Sequence, residues 1–214
     1  MAPFTNIGIS LITVRHLNRN AVVFDLKKKY IDFSTNRLNQ TRLGTNPQIL
    51  VDDDTLNIPN YLEEESVDLS ITSPTYANTL NHPRKNKNIR GNKRNNEHFE
   101  TIKQYHKDPR DLGTVGNEEY SDSPTKIYKV IYLVTKKKGH VIIKVNGEWE
   151  NNKHYAAQVY VIHSIEKTRF GFRNTIMWSK KKSVNNAGIF GYPSNYITLG
   201  TTMEFINDFW KRGE

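Results

Sequence analysis

Apolar residues in the first third of this chain come in short bursts, and the spacing within each burst sets the element it predicts. Ile7, Leu11, Ile12 and Val14 recur at helical spacing over residues 7–18. After Asn20 the periodicity gives way to the run Ala21-Val22-Val23-Phe24-Asp25-Leu26, the pattern of a strand buried on both faces and ending in an acid. Residues 30–38 return to a helical pattern. Ile49-Leu50-Val51 followed by Asp52-Asp53-Asp54 then repeats strand and acid, and a third strand over 67–72 runs into Ser73-Pro74-Thr75-Tyr76. Beyond a long polar stretch, Ser123-Pro124 marks a helix start, with Ile127, Val130, Ile131 and Val134 on one face and Gly139 as its stop. A strand at 140–145, a helix at 155–168 and strands at 172–178 and 203–210 follow. His163 falls on the apolar face of that helix and reads as a packed core residue. Alternating strands and helices predict an α/β fold with a twisted, mostly parallel sheet and helices on both faces. The reading is one domain over residues 1–214, interrupted by a basic, flexible insertion at 82–122.

Composition narrows the classes. A chain of 214 residues with 36% hydrophobic and 25% charged residues is globular in make-up. No apolar run approaches the roughly 20 residues that span a bilayer, and a cytoplasmic location is expected. The absence of cysteine excludes disulfides and thiolate metal sites. A net charge of +9 favours a polyanionic partner, because each phosphate neutralised releases counterions. Arg84, Lys85, Lys87, Arg90, Lys93 and Arg94 are concentrated in one Asn-rich stretch, and Lys180, Lys181 and Lys182 form a second basic run. The first reads equally as a phosphate-contacting arm or as a solvated insertion; the second could contact phosphates, although most charge runs are simply solvated.

In open α/β sheets ligands gather beyond the carboxyl ends of the strands. Asp25, the Asp52–Asp54 cluster and Ser73–Tyr76 all fall at such ends. An acid after a strand can accept hydrogen bonds from the ribose hydroxyls of a nucleoside cofactor, although many surface loops carry one, and taken alone the Asp triplet reads more readily as a helix cap or turn. The tetrapeptide has its own chemistry. A Ser73 hydroxyl and a Pro74 carbonyl can accept the N–H groups of an exocyclic amine, localising its lone pair, while Tyr76 can stack on an extruded base. That chemistry needs no metal.

These pieces together resemble the S-adenosylmethionine-dependent amino-methyltransferases of DNA, which act on cytosine N4 or adenine N6. Residues 67–76 are similar to the family's strand and Ser/Asp-Pro-Pro-Tyr motif, and residues 18–25 to its second strand and ribose acid. Residues 108–113, 138–143, 175–180, 191–193 and 204–206 match later segments in order, so the resemblance covers nearly the whole chain. It implies catalytic roles for Ser73, Pro74 and Tyr76, cofactor contacts at Phe4, Gly8, Asp25 and Asp53, and double-stranded DNA as partner, within a restriction-modification or mobile-element system. Serine at the first motif position leans toward cytosine N4 over adenine N6. A related RNA methyltransferase motif begins with Asn instead.

The departures carry their own expectations. Ala2-Pro3-Phe4-Thr5-Asn6-Ile7-Gly8 aligns with a loop Asp-Pro-Phe-x-Gly-x-Gly, so Ala2 and Asn6 replace an acid and a glycine. Thr75 replaces the second proline of the motif. The family's strand ahead of that loop has no counterpart, so the sheet is expected to be incomplete at its N-terminal side. A partner chain or a second copy would complete it. The alternatives to a working methyltransferase are a catalytically impaired DNA-binding remnant and one part of a split enzyme. Reversing the loop with Ala2→Asp and Asn6→Gly is expected to improve cofactor affinity once the strand is supplied.

Overall fold

A computed structural model describes residues 1–4, 8–41, 44–75, 108–115, 122–150, 153–179, 189–190, 198–199 and 203–213. The described elements in chain order are α1 (Ile9–His16), β1 (Ala21–Asp25), α2 (Lys28–Gln40), β2 (Gln48–Asp52), β3 (Val67–Thr72), α3 (Ser123–Val134), β4 (Thr135–Val145), β5 (Glu148–Glu150), β6 (Lys153–Tyr155), α4 (Ala157–Glu166), β7 (Gly171–Ser179), β8 (Ile189–Phe190), β9 (Thr198–Leu199) and β10 (Met203–Trp210). Short 3₁₀ turns at Thr55–Asn60 and Leu112–Thr114 complete them.

β1 and β2 pair in parallel, and a second sheet runs β3-β4-β10-β7. β3 and β4 are parallel, whereas β10 lies antiparallel to both β4 and β7. The first two residues connect the sheets. Met1 donates its amino N–H to the Leu69 carbonyl (2.6 Å) and accepts from Ile71 (3.0 Å). Ala2 donates to the Val22 carbonyl (2.9 Å) and accepts from Phe24 (3.1 Å). Each pair is the bonding unit of a parallel ladder, so this dipeptide is a very short strand between β1 and β3. The resulting architecture is the expected α/β, Rossmann-like arrangement.

β1 is buried on both faces, as a parallel strand under two helical layers must be. Val22 and Phe24 join Val51, Ile127, Ile131, Val134, Val141, Ile143 and Ile165 in the main core, on the side of α3 and α4. Val23 faces the other way and packs with Ala2, Leu11 and Leu38 beneath α1 and α2. On that side Leu69 and Ile71 of β3 are exposed.

Several expectations are corrected. α3 does not run to Gly139: it ends at Val134, and Lys136, Lys137 and Lys138 belong to β4. A β-bulge separates the Val67–Thr135 pair from the Leu69–His140 pair. The positive φ of 63° falls on Lys138, while a Cβ on Gly139 would lie 2.8 Å from Thr135 Cγ2 and 2.9 Å from the Lys136 carbonyl oxygen. Glycine there permits close approach within the bulge and does not stop a helix. Tyr155 lies in β6 and not in α4. His163 is exposed, because the packed face of α4 is carried by Val161, Ser164 and Ile165. Ala2 is 7% exposed within an apolar cluster, so an Ala2→Asp change buries a carboxylate among Leu11, Val23 and Leu38. The expected gain in cofactor affinity from that reversal is therefore opposed by a loss of stability.

Gly8 starts α1 with φ 72°, a left-handed conformation, and a Cβ there would meet Ser34 Oγ at 2.5 Å and Ser34 Cβ at 2.7 Å. Gly8→Ala should destabilise the fold by about 2–4 kcal/mol, combining left-handed strain with overpacking. In chemical denaturation, a compensating Ser34→Gly change should recover the packing part and leave the conformational part. Full recovery would mean that φ at this position contributes nothing.

Candidate active site at the carboxyl ends of the strands

The carboxyl ends of β1, β2 and β3 converge on a pocket of about 100 Å³. Asp25, Leu26 and Lys27 reach it from the end of β1, and Tyr30 from α2. Asp54 and Thr55 follow β2, Ser73 and Thr75 follow β3, and Phe4 comes from the N-terminal segment. Arg110, Asp111 and Leu112 close one side, with Ile127 of α3 beneath. Residues 108–115 lie within the 82–122 stretch, and their Leu112 is buried in the main core. The Thr55 hydroxyl donates to the Pro3 carbonyl at 2.8 Å, which fixes the loop carrying Phe4 against the turn after β2.

Phe4, Asp25 and Ser73 thus share one pocket wall, although they lie far apart in sequence. Asp25 is half-buried and accepts from the Lys27 backbone N–H at 3.0 Å. Ser73 is exposed, Pro74 is buried, and Thr75 is half-buried. Gly8 packs on Ser34 instead of lining the pocket. Tyr76 and all nine basic residues expected to contact DNA, Arg84, Lys85, Lys87, Arg90, Lys93, Arg94, Lys180, Lys181 and Lys182, lie outside the described residues.

The acidic triplet divides its labour. Asp53 accepts from Asn57 Nδ2 at 2.9 Å, from the Tyr61 hydroxyl at 2.9 Å and from the Asp54 N–H at 2.7 Å. These bonds, led by Asn57, hold its carboxyl below the usual carboxylate range, and the Arg110 charge adds to them. Tyr61 is raised by the same bond. Asp54 is the triplet's contribution to the pocket wall; it is nearly buried and caps the 3₁₀ turn by accepting from the Leu56 N–H at 2.9 Å. Arg110 forms a short fork to Asp108, with Nε to Oδ1 at 3.0 Å, which raises its basicity. That fork holds one guanidinium beside Asp53 and Asp54, with Asp111 nearby in the pocket wall.

Sequence reasoning did not single out Asp54, Lys27, Tyr30 or Arg110 as site residues. Asp54 was hidden among three consecutive acids. Arg110 was within a segment whose resemblance was noted, but no local pattern assigned it to a pocket.

The fold and the position of this pocket define the class: a Rossmann-like methyltransferase fold with its cleft at the strand carboxyl ends. No protein-family profile and no curated protein sequence matches this chain. Among solved structures it is similar to a putative methyltransferase from Bacillus halodurans, with TM-score 0.58 and 11% identity over 99% of this chain and 91% of that one. It is likewise similar to an S-adenosylmethionine-dependent methyltransferase from Methanosarcina mazei, with TM-score 0.56 and 9% identity over 100% and 91%. A putative DNA modification methylase from Thermus thermophilus shares 18% identity, with TM-score 0.47 over 76% of this chain and 53% of that one. This chain therefore spans about half the length of the Thermus protein.

The Asp53 network stabilises the turn while its carboxylate is ionised. Because the folded-state pKa is depressed, that contribution is present above the unfolded value of about 4 and is lost as pH falls through the lower folded value. Carboxyl NMR titration should give Asp53 a midpoint below 3.8, and Tyr61→Phe should raise it. Asp54→Ala should cost about 1 kcal/mol through loss of the cap. A midpoint for Asp53 unchanged by Tyr61→Phe would show that the hydroxyl bond does not form in solution.

Proposed function

We propose that this chain is an S-adenosylmethionine-dependent methyltransferase acting on an exocyclic amino group of DNA, with cytosine N4 favoured over adenine N6. The observation that carries the reading is the meeting of Asp25 and Ser73 in one pocket at the strand ends. A carboxylate at the end of β1 suits a ribose diol, and the apolar surfaces of Phe4, Leu26 and Leu112 suit a nucleobase. The donor set thus fits a nucleoside cofactor. The enclosed volume of about 100 Å³ is well below the roughly 300–1,000 Å³ of ordinary ligand sites, so the pocket covers only part of one.

When bound, S-adenosylmethionine supplies an electrophilic methyl group on a sulfonium. The protein's task is to aim a poor nucleophile. Ser73, exposed on the pocket wall, accepts an N–H bond from the amine, and the Pro74 carbonyl accepts the other. Both bonds draw the lone pair out of conjugation with the base. Tyr76 stacks on the base once it leaves the duplex, at the cost of a few kcal/mol of unstacking. Asp25 holds the ribose, and Asp54 stands in the position assigned from sequence to Asp53. Arg84–Arg94 and Lys180–Lys182 contact phosphates. Serine in the motif supports the cytosine preference, and the +9 charge supports a nucleic-acid substrate.

Calorimetric titration with S-adenosylmethionine should give weak binding, well above the dissociation constant of about 1 µM that corresponds to −8.2 kcal/mol. Asp25→Ala should weaken it by a further 10- to 100-fold, the worth of about 1.5–3 kcal/mol for bonds to a charged group. Ser73→Ala should instead spare cofactor affinity and abolish most methylation of a cytosine-containing duplex. Equal loss of both functions in both variants would sink the division of roles.

DNA affinity should fall with log salt at a slope of about −3 to −4 if roughly four phosphates are engaged. Neutralising Arg84, Lys85, Lys87, Arg90, Lys93 and Arg94 together should flatten that slope. An unchanged slope would place the electrostatic contact elsewhere.

A further inference from the structure

The two faces of β4, β10 and β7 are unequal. Val141, Ile143, Val145, Phe205 and Phe209 turn toward α3 and α4, in the main core. Strand alternation turns His140, Ile142 and Lys144 of β4, and Glu204, Ile206, Asp208 and Trp210 of β10, to the other face. The side-chain contacts agree. Lys144 Nζ lies 2.9 Å from Glu204 Oε2 and 5.6 Å from the ring centroid of Trp178 on β7. Arg173 of β7 lies 5.5 Å over the Trp210 ring, with Nη1 3.5 Å from His140 Nε2. Ile176 pairs with Ile206 on this face; it is 57% exposed, and Trp178 is 53% exposed.

The make-up of this face points to a ligand. Single exposed apolar residues are ordinary on a surface. Here two tryptophans share one face with Ile142, Ile176 and Ile206, and each indole has a cation over it. Such a pair gains about 0.5–1 kcal/mol at an exposed site, which helps hold each ring in place. The two carboxylates are already engaged, Glu204 by Lys144 and Asp208 by His140 Nδ1 at 2.8 Å. Arg173 makes no ion pair among the described residues, and Lys137, Lys138 and Arg212 are exposed at the same end of the sheet as Trp210.

We propose that this face is a stacking platform for single-stranded nucleic acid, with bases on Trp178 and Trp210 and the sugar-phosphate backbone passing Arg173. Sheet faces with exposed aromatics stack two or three unpaired bases, and the stacking tolerates any sequence because every base has a π-face. Trp178 stands opposite Glu204, and Trp210 stands opposite Gly171, so the two rings lie about 20 Å apart along the strands. That span suits the roughly four nucleotides at the lower end of single-strand sites. A duplex does not meet the same chemistry, because its bases stack on each other and offer only edges and phosphates. The +9 charge of the chain adds long-range attraction. The platform shares no residue with the pocket at the strand carboxyl ends and needs no methyl donor.

The test uses the full chain with fluorescein-labelled oligothymidylate or oligouridylate, read by anisotropy. Either strand should bind, and the tighter of the two names the source. Trp178→Ala should weaken binding about 5- to 150-fold, equivalent to about 1–3 kcal/mol per stacked base, with circular dichroism unchanged. Trp178→Phe, which keeps a π-face, should retain most of the affinity. Arg173→Gln should flatten the dependence of log affinity on log salt by about 0.7, one phosphate's share on a single strand. Because the readout involves no methyl donor, it succeeds or fails apart from the methyl-transfer reading. Affinity unchanged by Trp178→Ala would overturn the platform. An equal loss of duplex binding in that variant would overturn it too, since stacking requires unpaired bases.

Discussion

The backbone bonds of Met1 and Ala2 are the constraint on which the rest of the fold depends, because β1 and β3 have no other ladder between them among the described residues. Each such bond contributes only about 0.5–1.5 kcal/mol net. Their larger effect is geometric. They set the two parallel pairs side by side, so that Val22 and Phe24 can share one core with Ile127, Ile131 and Val141. They also fix the start of the loop that carries Phe4, and Thr55 clamps that loop at Pro3. Without this dipeptide the acid ending β1 and the serine following β3 have no reason to face one cavity.

β1, β2 and β3 are legible in the sequence as short apolar runs ending in polar residues; burial under two layers produces that signature directly for β1, whereas Ile49 of β2 and Leu69 and Ile71 of β3 are exposed and were legible by their apolar run alone. β10 was recovered at its full extent, over residues 203–210. What the pattern did not contain was direction: Met203–Trp210 reads the same whether it runs with or against β4, and the antiparallel choice emerges only from tertiary pairing. The cross-strand pairs then support it, with Lys144 Nζ 2.9 Å from Glu204 and His140 Nδ1 2.8 Å from Asp208. The three lysines before Gly139 were unreadable as strand because their propensity is poor and glycine ordinarily follows a helix. Packing of β4 against β3 overrode both signals.

Within the site, the limit was one of register. Three consecutive aspartates after β2 are chemically identical in sequence, and a strand places neighbours on opposite faces. The turn decides between them. Asp53 is taken up by Asn57 and Tyr61, whereas Asp54 caps the turn and faces the cavity. Arg110 was less legible still, since its position beside these acids depends on a fork with Asp108 that no periodicity encodes. Asp25 and Ser73 were legible because each directly ends or follows a strand. The rule that ligands collect at strand carboxyl ends converts sequence position into spatial position there.

The apolar packing beneath α1 and the pocket lie on opposite sides of the same short segment. Ala2 packs beneath α1, and Phe4, two residues later, lines the pocket. The backbone between them is held at both ends, by the ladder bonds of Met1 and Ala2 and by the Thr55 hydroxyl on the Pro3 carbonyl, so the packing beneath α1 and the Phe4 wall of the pocket answer to one constraint.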